Sequence, residues 1–251
     1  MKELIAALPD YQITYFGDTA RVPYGNKSKE TVTRYALEDA NFLIKKGAKI
    51  IVVACSTATA FALDALTKKL DVPVIGVAEP SIETAIEATK NQKIGVIGTK
   101  GTVSSKVYEK LAKKINPKVK IYSQPCPLLV PLVEENWIKK PETRRIIKKY
   151  LRPLKTVQVD NLILGCTHYP LLEKTIREIA GKRITLINPG KETAKAVQKL
   201  IDNNLDLKKS LKKGGKYQFY ASDTSGEFKQ IGSRFLGRKI GKLKKANIEN
   251  L

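Results

Sequence analysis

The fold is decided by the stretch Lys49-Ile-Ile-Val-Val-Ala-Cys55-Ser-Thr57, an apolar run that ends in small and hydroxyl-bearing residues. A run of about five β-branched or leucine residues with such an ending is typical of a buried parallel strand that leads into a ligand-binding loop. The stretch Asn161-Leu-Ile-Leu-Gly-Cys166-Thr-His168 has the same form. The sequence therefore offers two thiols, Cys55 and Cys166, from two similar strand ends.

Composition places the chain in a broad class without deciding its function. The chain has 251 residues, 42% of them hydrophobic, and no apolar run long enough to cross a bilayer. Residues 1–9 have the pattern of a short amphipathic helix and lack the apolar core of a secretory signal. Three widely spaced cysteines favour reduced thiols over a disulfide framework. These features predict a cytoplasmic protein with no membrane partner.

The charge of the chain is strongly positive. A formal net charge of +22 comes from 46 Lys and Arg against 24 Asp and Glu. The cationic residues are spread along the chain, with the densest cluster at 208–216, so solvated helix faces account for most of them. Such a charge predicts nonspecific binding of polyanions at low salt. No motif that reads nucleic acid accompanies it, so no specific nucleic-acid partner is expected.

Strands and helices alternate along the chain, which predicts two similar doubly wound, flavodoxin- or Rossmann-like α/β domains with parallel sheets. The matching motifs at Cys55 and Cys166 form a weak internal repeat that supports two related halves. A crossing near 73–80 and a return near 189–190 make the first domain discontinuous, with residues 1–78 plus 190–251, and leave 79–189 as the second. The predicted strands are 11–16, 50–53, 74–77, 94–97, 119–122, 162–164, 184–187 and 217–220. The predicted helices are 29–46, 59–70, 104–115, 142–151, 171–179 and 191–203.

Two thiols suit a different reaction from one thiol. A cysteine nucleophile in acyl transfer needs one thiolate, a base and an oxyanion hole, so a second thiol would be idle. Removing a proton from one face of a carbon and returning it to the other face needs two acid–base groups, one thiolate and one thiol. His168, the only histidine, follows Cys166 by two positions and is available to support a thiolate there.

Simpler interpretations exist for the same residues. His168 alone has a purely structural alternative. Three cysteines and one histidine are enough for a tetrahedral zinc site, but no Cys-x-x-Cys or His-x-x-x-His pair supplies the local geometry, so no metal is expected. Cys126 lies between two prolines and is expected to be a small buried hydrophobic residue.

Several motifs together resemble the cofactor-independent glutamate racemases, and the match runs nearly from end to end. Gly165-Cys-Thr-His-Tyr-Pro170 is specific to the wider aspartate/glutamate racemase group, and Pro23-Tyr-Gly25 narrows the match to the glutamate enzymes. The other matching stretches are Gly17-Asp-Thr-Ala-Arg-Val-Pro-Tyr-Gly25, Ala54-Cys-Ser-Thr57, Pro73-Val-Ile-Gly76, Gly98-Thr99 with Thr102, and Cys126-Pro-Leu-Leu-Val-Pro-Leu-Val-Glu-Glu135.

The resemblance implies an isomerase that interconverts L- and D-glutamate and supplies D-glutamate for peptidoglycan, without pyridoxal phosphate, metal or any other cofactor. Cys55 and Cys166 would be the two bases, on opposite faces of the substrate in a cleft between the domains. His168 would support Cys166, and Glu134, with Glu135 as an alternative, would assist on that side. The expected partners are the small-molecule substrate and, in a homodimer, a second copy of the chain. The positions implied in substrate binding are Pro23, Tyr24, Gly25, Ser56, Thr57, Thr99, Thr102, Thr167 and His168.

Two features depart from the family's pattern. No segment of the chain matches the family's first strand and the Asp-Ser-Gly loop after it, whose acidic residue assists the first cysteine. Ser56 stands where the family usually has Asn, and its shorter side chain predicts weaker substrate binding. Two other functions stay open: a catalytically impaired homologue retained as a basic binding protein, and racemisation of aspartate or another acidic amino acid.

Overall fold

A computed structural model describes residues 1–224 and 226–248, which divide into two compact α/β units. The first unit contains Met1–Val53, Phe61–Ile75 and the described residues from Thr193 onward, and the second contains Ala54–Ala60 and Gly76–Glu192. The boundaries expected from the sequence, 1–78 with 190–251 and 79–189, lie within a few residues of this division except at 54–60. In the described part of the chain, every helix is too short or too polar to cross a membrane.

The secondary structure alternates between helices and strands, as the sequence pattern predicts. Short 3-10 helices occupy Tyr24–Asn26 and Tyr169–Leu172. The strands are β1 (Ile13–Gly17), β2 (Ile51–Val53), β3 (Val74–Gly76), β4 (Lys93–Gly98), β5 (Lys120–Pro125), β6 (Asn161–Gly165), β7 (Thr185–Ile187), β8 (Tyr217–Ala221) and β9 (Leu243–Lys245). The helices are α1 (Lys2–Ala7), α2 (Lys29–Lys45), α3 (Ser56–Lys69), α4 (Ala78–Ala88), α5 (Lys100–Ser104), α6 (Val107–Ile115), α7 (Leu129–Glu134), α8 (Pro141–Thr156), α9 (Glu173–Ala180), α10 (Pro189–Asp202), α11 (Leu205–Ser210) and α12 (Gly226–Leu236).

The second unit is built on a parallel sheet with strand order β5-β4-β6-β7. Gly98 at the end of β4 pairs with Gly165 at the end of β6, so these two strands end level with each other. The carboxyl ends of parallel strands share one edge of the sheet, which is where α/β proteins bind ligands. Thr99, Cys126 and Cys166 directly follow β4, β5 and β6 at this edge.

The core of the second unit fixes that sheet in place. Helices α4 and α6 pack against one face of the sheet, and each fully buried aliphatic side chain contributes roughly 1.5–3 kcal/mol relative to an exposed one. β4 and β6 are nearly continuous apolar runs because both of their faces are covered. The buried side chains of this cluster include Ala78, Ile82, Ala85, Ile94, Val96, Tyr108, Ala112, Val119, Ile163 and Ile187.

The strands of the first unit form two sheets within the described residues. One is a parallel sheet of order β1-β8-β9, and the other contains only β2 and β3. Within the described residues, β1, β9, β2 and β3 are therefore edge strands. Phe42 on α2 packs against Tyr220 on β8, with the two ring centroids 5.2 Å apart, and Leu8, which follows helix α1, packs against Val197 and Ile201 of α10.

Three predicted elements differ in the structure. The helix expected at 104–115 is two helices, α5 and α6, since Lys106 takes a left-handed conformation (φ 54°) between them. Helix α3 begins at Ser56, three residues before its predicted start. Helix α4 occupies a segment predicted as a crossing turn, because Pro80 lies in its first turn, where proline is tolerated. Helices α7, α11 and α12 and strand β9 were not predicted from the sequence.

Candidate active site

Cys55 lies between strand β2 and helix α3, within the segment that groups with the second unit. Its side chain is half-buried, and its backbone carbonyl accepts the amide of Thr59 at 2.8 Å. Ser56 and Thr57 follow in the first turn of α3 and are both buried. The first turn of a helix presents amide groups without intrahelical partners, so a negative charge is favourable at this position.

Cys166 follows strand β6 directly and is 8% exposed. The residue before it is Gly165, where a Cβ atom would lie 2.8 Å from the carbonyl oxygen of Ile97, so only glycine allows the two strand ends to approach this closely. Burial raises the pKa of the Cys166 thiol to about 12, a hydrogen bond from the His168 backbone lowers it, and a charge on Cys55 raises it further. Cys166 is therefore a protonated thiol at neutral pH in this state.

His168 connects Cys166 to a carboxylate. Its Nδ1 atom lies 3.8 Å from Cys166 Sγ and 3.3 Å from Thr167 Oγ1, and its Nε2 atom lies 3.1 Å from Glu134 Oε1. An ionised carboxylate only accepts hydrogen bonds, so Nε2 carries a proton and Nδ1 of a neutral ring has its lone pair towards the sulfur. Glu134 ends helix α7, and the alternative residue Glu135 lies beyond that end.

Three threonine hydroxyl groups meet beside the cysteines in the second unit. Thr57 Oγ1 lies 3.0 Å from Thr99 Oγ1 and 3.4 Å from Thr102 Oγ1, and the last two atoms are 3.1 Å apart. Thr99 also caps helix α5 by accepting the amide of Thr102. Hydroxyl groups that share one another's protons in this way can reorient to donate to an anionic ligand.

The other predicted binding residues lie in the first unit. Tyr24 and Gly25 belong to the 3-10 helix that Pro23 precedes. The Tyr24 side chain is 7% exposed, and its hydroxyl group contacts the carboxylates of Asp18 and Asp39. Because that hydroxyl group is already engaged, backbone atoms of the Tyr24–Asn26 turn are the groups left to bind a ligand.

Tyr108 was not recognised as a site residue from the sequence. Its side chain is 1% exposed, and within the described residues its hydroxyl group has no hydrogen-bond partner. Burial raises the pKa of this hydroxyl group, Ser56 lowers it, and a charge on Cys166 raises it, so Tyr108 lies beside both of these residues. The pattern of helix α6 places Tyr108 on the apolar face, and only the partners of a side chain reveal an unpaired polar group.

Cys126 is completely buried, as expected for a small hydrophobic residue. Its backbone carbonyl accepts the hydroxyl group of Tyr169 at 3.1 Å, and burial raises the pKa of its thiol. Among the residues with described positions, no three His, Cys, Asp or Glu side chains are grouped so that they could hold a metal ion. The site as described therefore consists of thiols, hydroxyl groups, one imidazole ring and one carboxylate.

Comparison with known proteins gives one consistent result. Residues 1–197 match the family described as Asp/Glu/Hydantoin racemase. A glutamate racemase from Geobacter metallireducens is 45% identical over 249 residues, which cover 99% of this chain and 92% of that protein. The crystal structure of a glutamate racemase isoform from Bacillus anthracis has a TM-score of 0.91 and 38% identity, with 97% of this chain and 91% of that chain covered. The glutamate racemase from Francisella tularensis, solved in complex with D-glutamate, has a TM-score of 0.91 and 33% identity over 100% of this chain and 93% of that chain. The chain belongs to the Asp/Glu/Hydantoin racemase family, within its glutamate racemase group.

Proposed function

We propose that this chain interconverts L- and D-glutamate by a two-base proton transfer at Cα, with Cys55 and Cys166 as the bases. The observation that carries the proposal is the placement of Cys55 and Cys166 in the same compact unit, directly or closely after strands β2 and β6, where a charge on Cys55 also raises the pKa of Cys166. Each half-reaction needs one thiolate to remove the Cα proton and one thiol to deliver a proton to the opposite face. The protonated state of Cys166 fits it as the acid when Cys55 is the base.

The residues around Cys166 suit its change of role when the substrate has the opposite configuration. Cys166 then has to lose its proton before it removes one from Cα. The Nδ1 atom of His168 lies 3.8 Å from the sulfur and can accept that proton, while Glu134 stabilises the positive charge that forms on the imidazole ring. His168 is thus a proton acceptor, and Glu134 sets its orientation.

Substrate binding is assigned to the hydroxyl groups and backbone atoms around the two thiols. Ser56, Thr57 and Thr167 are proposed to bind the polar groups of the amino acid, with Thr99 and Thr102 held next to Thr57. Pro23, Tyr24 and Gly25 are proposed as further contacts. The Francisella tularensis structure contains D-glutamate, which supports glutamate as the substrate of this chain as well. We also propose a cytoplasmic location and a role in supplying D-glutamate for peptidoglycan, and a homodimer stays a prediction that sedimentation would test.

Deuterium exchange tests the proposal. The protein is incubated with L-glutamate and separately with D-glutamate in heavy water, and deuterium at Cα is followed by NMR. We expect exchange from both enantiomers in the unaltered protein and in Cys126→Ala, which removes a buried thiol outside the proposed pair. Cys55→Ser and Cys166→Ser should each abolish turnover. Turnover in either cysteine variant would contradict the mechanism, and so would a folded native protein that shows no exchange. Faster exchange at Cα of aspartate than of glutamate would indicate that aspartate is the substrate.

A second candidate function rests on a basic groove in the first unit. The groove has a volume of about 400 Å³ and is formed by strands β8 and β9 and the segment between α12 and β9. Its cationic side chains are Arg238, Lys239, Lys242 and Lys244, and no acidic side chain lines it within the described residues. This charge favours phosphate-bearing polymers. Binding of DNA that survives about 0.2 M salt would favour this function, whereas binding lost at that salt would reflect the net charge alone.

A further inference from the structure

A network of carboxylates surrounds the segment that leads from β1 to the Tyr24–Asn26 turn. Asp18 is 8% exposed and accepts three hydrogen bonds, from Arg21 Nε at 2.7 Å, from Ser222 Oγ at 2.9 Å and from the Tyr24 hydroxyl group. Residues 19 and 20 are also tied to the chain beyond β8, since the amide of Ala20 donates to Ser222 Oγ at 2.9 Å. The whole segment is thereby attached to the rest of the first unit through Asp18 and Ser222.

Arg21 is the cation at the centre of the network. Besides Asp18, its guanidinium group contacts Glu38, and it donates to Asp39 Oδ1 at 2.9 Å. It also lies 4.0 Å from the ring centroid of Tyr35. One positive charge therefore faces three carboxylates in a partly buried place, where unpaired negative charges are costly.

The number of protons in the network reveals the ionisation state. The Tyr24 hydroxyl group lies between Asp18 Oδ2 and Asp39 Oδ2, and its distance to the latter is 3.1 Å. A phenol has a single proton and can donate to only one of these oxygen atoms. If Asp18 and Asp39 were both ionised, the Tyr24 hydroxyl group would donate to one carboxylate, and its oxygen atom would face the other carboxylate with no hydrogen atom between them. Both contacts are hydrogen bonds when one of the two carboxyl groups is protonated. Both oxygen atoms of Asp18 already accept hydrogen bonds, from Arg21 and Ser222, so the proton fits on Asp39, which donates to Tyr24 while Tyr24 donates to Asp18.

We infer that Asp39 is a protonated carboxyl group, and that the hydrogen-bonded chain Asp39–Tyr24–Asp18 positions the Tyr24–Asn26 turn for substrate binding. The inference rests on the proposed function, in which backbone atoms of this turn contact the amino acid. Burial, followed by the charge of Asp18, raises the pKa of Asp39 to about 7, although Arg21 and a hydrogen bond with Tyr24 lower it. The charged and titratable groups that face Asp39 are Asp18, Arg21 and Tyr24 on the segment after β1 and Glu38 on its own helix α2.

The same Asp-to-Asn change should therefore raise KM at position 18 and leave it nearly unchanged at position 39. Asparagine at 39 mimics the protonated carboxyl group, because its NH₂ group can donate to Tyr24 while its oxygen accepts from Arg21. Asparagine at 18 presents an NH₂ group where the native side chain accepts from Arg21, Tyr24 and Ser222. We expect Asp18→Asn to raise KM for glutamate about tenfold with a smaller change in kcat. Asp39→Ala should raise KM, and Asp39→Asn should restore it to within about twofold of the native value.

The pH dependence gives a readout that a merely structural role would not change. In the native protein KM should rise as the pH increases through about 7, because ionised Asp39 can no longer donate to Tyr24. In Asp39→Asn this rise should be absent. Tyr24→Phe, which keeps the ring and removes the hydroxyl group, serves if Asp18→Asn does not fold, and it should raise KM about fivefold at all pH values.

NMR of ¹³C-labelled aspartate carboxyl carbons tests the proton without relying on turnover. One resonance should titrate near pH 7 and should disappear in Asp39→Asn. A protein that shows this titration but no Cα exchange would refute the proposed function and leave the protonated carboxyl group in place. If no aspartate titrates between about pH 6 and 8, or if Asp39→Asn raises KM as much as Asp18→Asn does, the inference is overturned.

Discussion

Removing the hydroxyl group of Tyr108 should stabilise the protein. In the described structure this group is buried without a hydrogen-bond partner, and an unsatisfied buried polar group costs about 1–3 kcal/mol. Tyr108→Phe keeps the ring in the core cluster of the second unit and removes only the oxygen atom. We therefore expect the free energy of unfolding to increase by about 1 kcal/mol, which corresponds to a rise in Tm of roughly 2–4 °C for a chain of this size.

Tyr169→Phe is the matched control for this substitution. Tyr169 is also completely buried, but its hydroxyl group donates to the Cys126 carbonyl at 3.1 Å. The same loss of one oxygen atom should here reduce the free energy of unfolding by about 1 kcal/mol. Urea unfolding followed by circular dichroism measures both variants, and the reasoning requires effects of opposite sign. A destabilised Tyr108→Phe protein would refute it.

The missing partner of Tyr108 is explained by the neighbouring residue. The Ser56 side chain lowers the pKa of the Tyr108 hydroxyl group as a hydrogen-bonding neighbour, but this contact is outside normal hydrogen-bond geometry. The resemblance noted from the sequence implies the longer Asn at this position. An amide group at 56 should reach the phenol. In a Ser56→Asn background, Tyr108→Phe should therefore become destabilising. Measuring the change in the free energy of unfolding for Tyr108→Phe in both backgrounds completes a double-mutant cycle that isolates this contact.

Three further predictions concern the site and its support. Glu134→Gln should lower kcat on the order of tenfold, because Glu134 acts only through His168. This is less than the loss expected for a cysteine, since a general acid–base group contributes a factor of about 10²–10⁴ to the rate. Steady-state kinetics in both directions check this. Iodoacetamide at neutral pH should modify Cys55 first, since Cys166 and Cys126 are buried and have raised thiol pKa values, and mass spectrometry would detect a contrary order. Burial raises the pKa of Asp160, but hydrogen bonds that it accepts from Thr89, Asn161 and two backbone amides lower this pKa below its ordinary value. Its stabilising effect is therefore present above about pH 4 and is lost as the pH falls further, so urea unfolding of Asp160→Asn should show a weaker dependence on acid pH than the native protein.

The sequence was sufficient to predict features that depend on local patterns. The apolar runs before Cys55 and Cys166 predicted strands β2 and β6, and the motif Gly165-Cys-Thr-His-Tyr-Pro170 identified the family. The resemblance named Thr99 and Thr102 without indicating that both would contact Thr57, as they do in the structure. Their approach depends on helix α3 beginning at Ser56 and on the separate helix α5, and neither was predicted.

Features that depend on packing between distant segments were not predicted. Asp18 and Asp39 are far apart in the sequence, and their common contact with Tyr24 exists only because α2 packs against the segment after β1. The unpaired hydroxyl group of Tyr108 is likewise invisible in a helix whose apolar face predicts only burial. In both cases the chemistry depends on which polar partners meet a side chain, and a one-dimensional pattern of apolar residues contains no information on those partners.

The unequal environments of Cys55 and Cys166 suit a two-base reaction. Two neighbouring thiols lose their protons one after the other, because the first negative charge opposes the second, and unequal surroundings decide which thiol ionises first. Here Cys166 is buried and strongly favours the thiol, whereas Cys55 is half-buried at the beginning of a helix. A charge on Cys55 further raises the pKa of Cys166, so the first ionisation opposes the second. The two thiols therefore titrate as a coupled pair, and the pKa values seen in a pH–rate profile should belong to the pair and not to either cysteine.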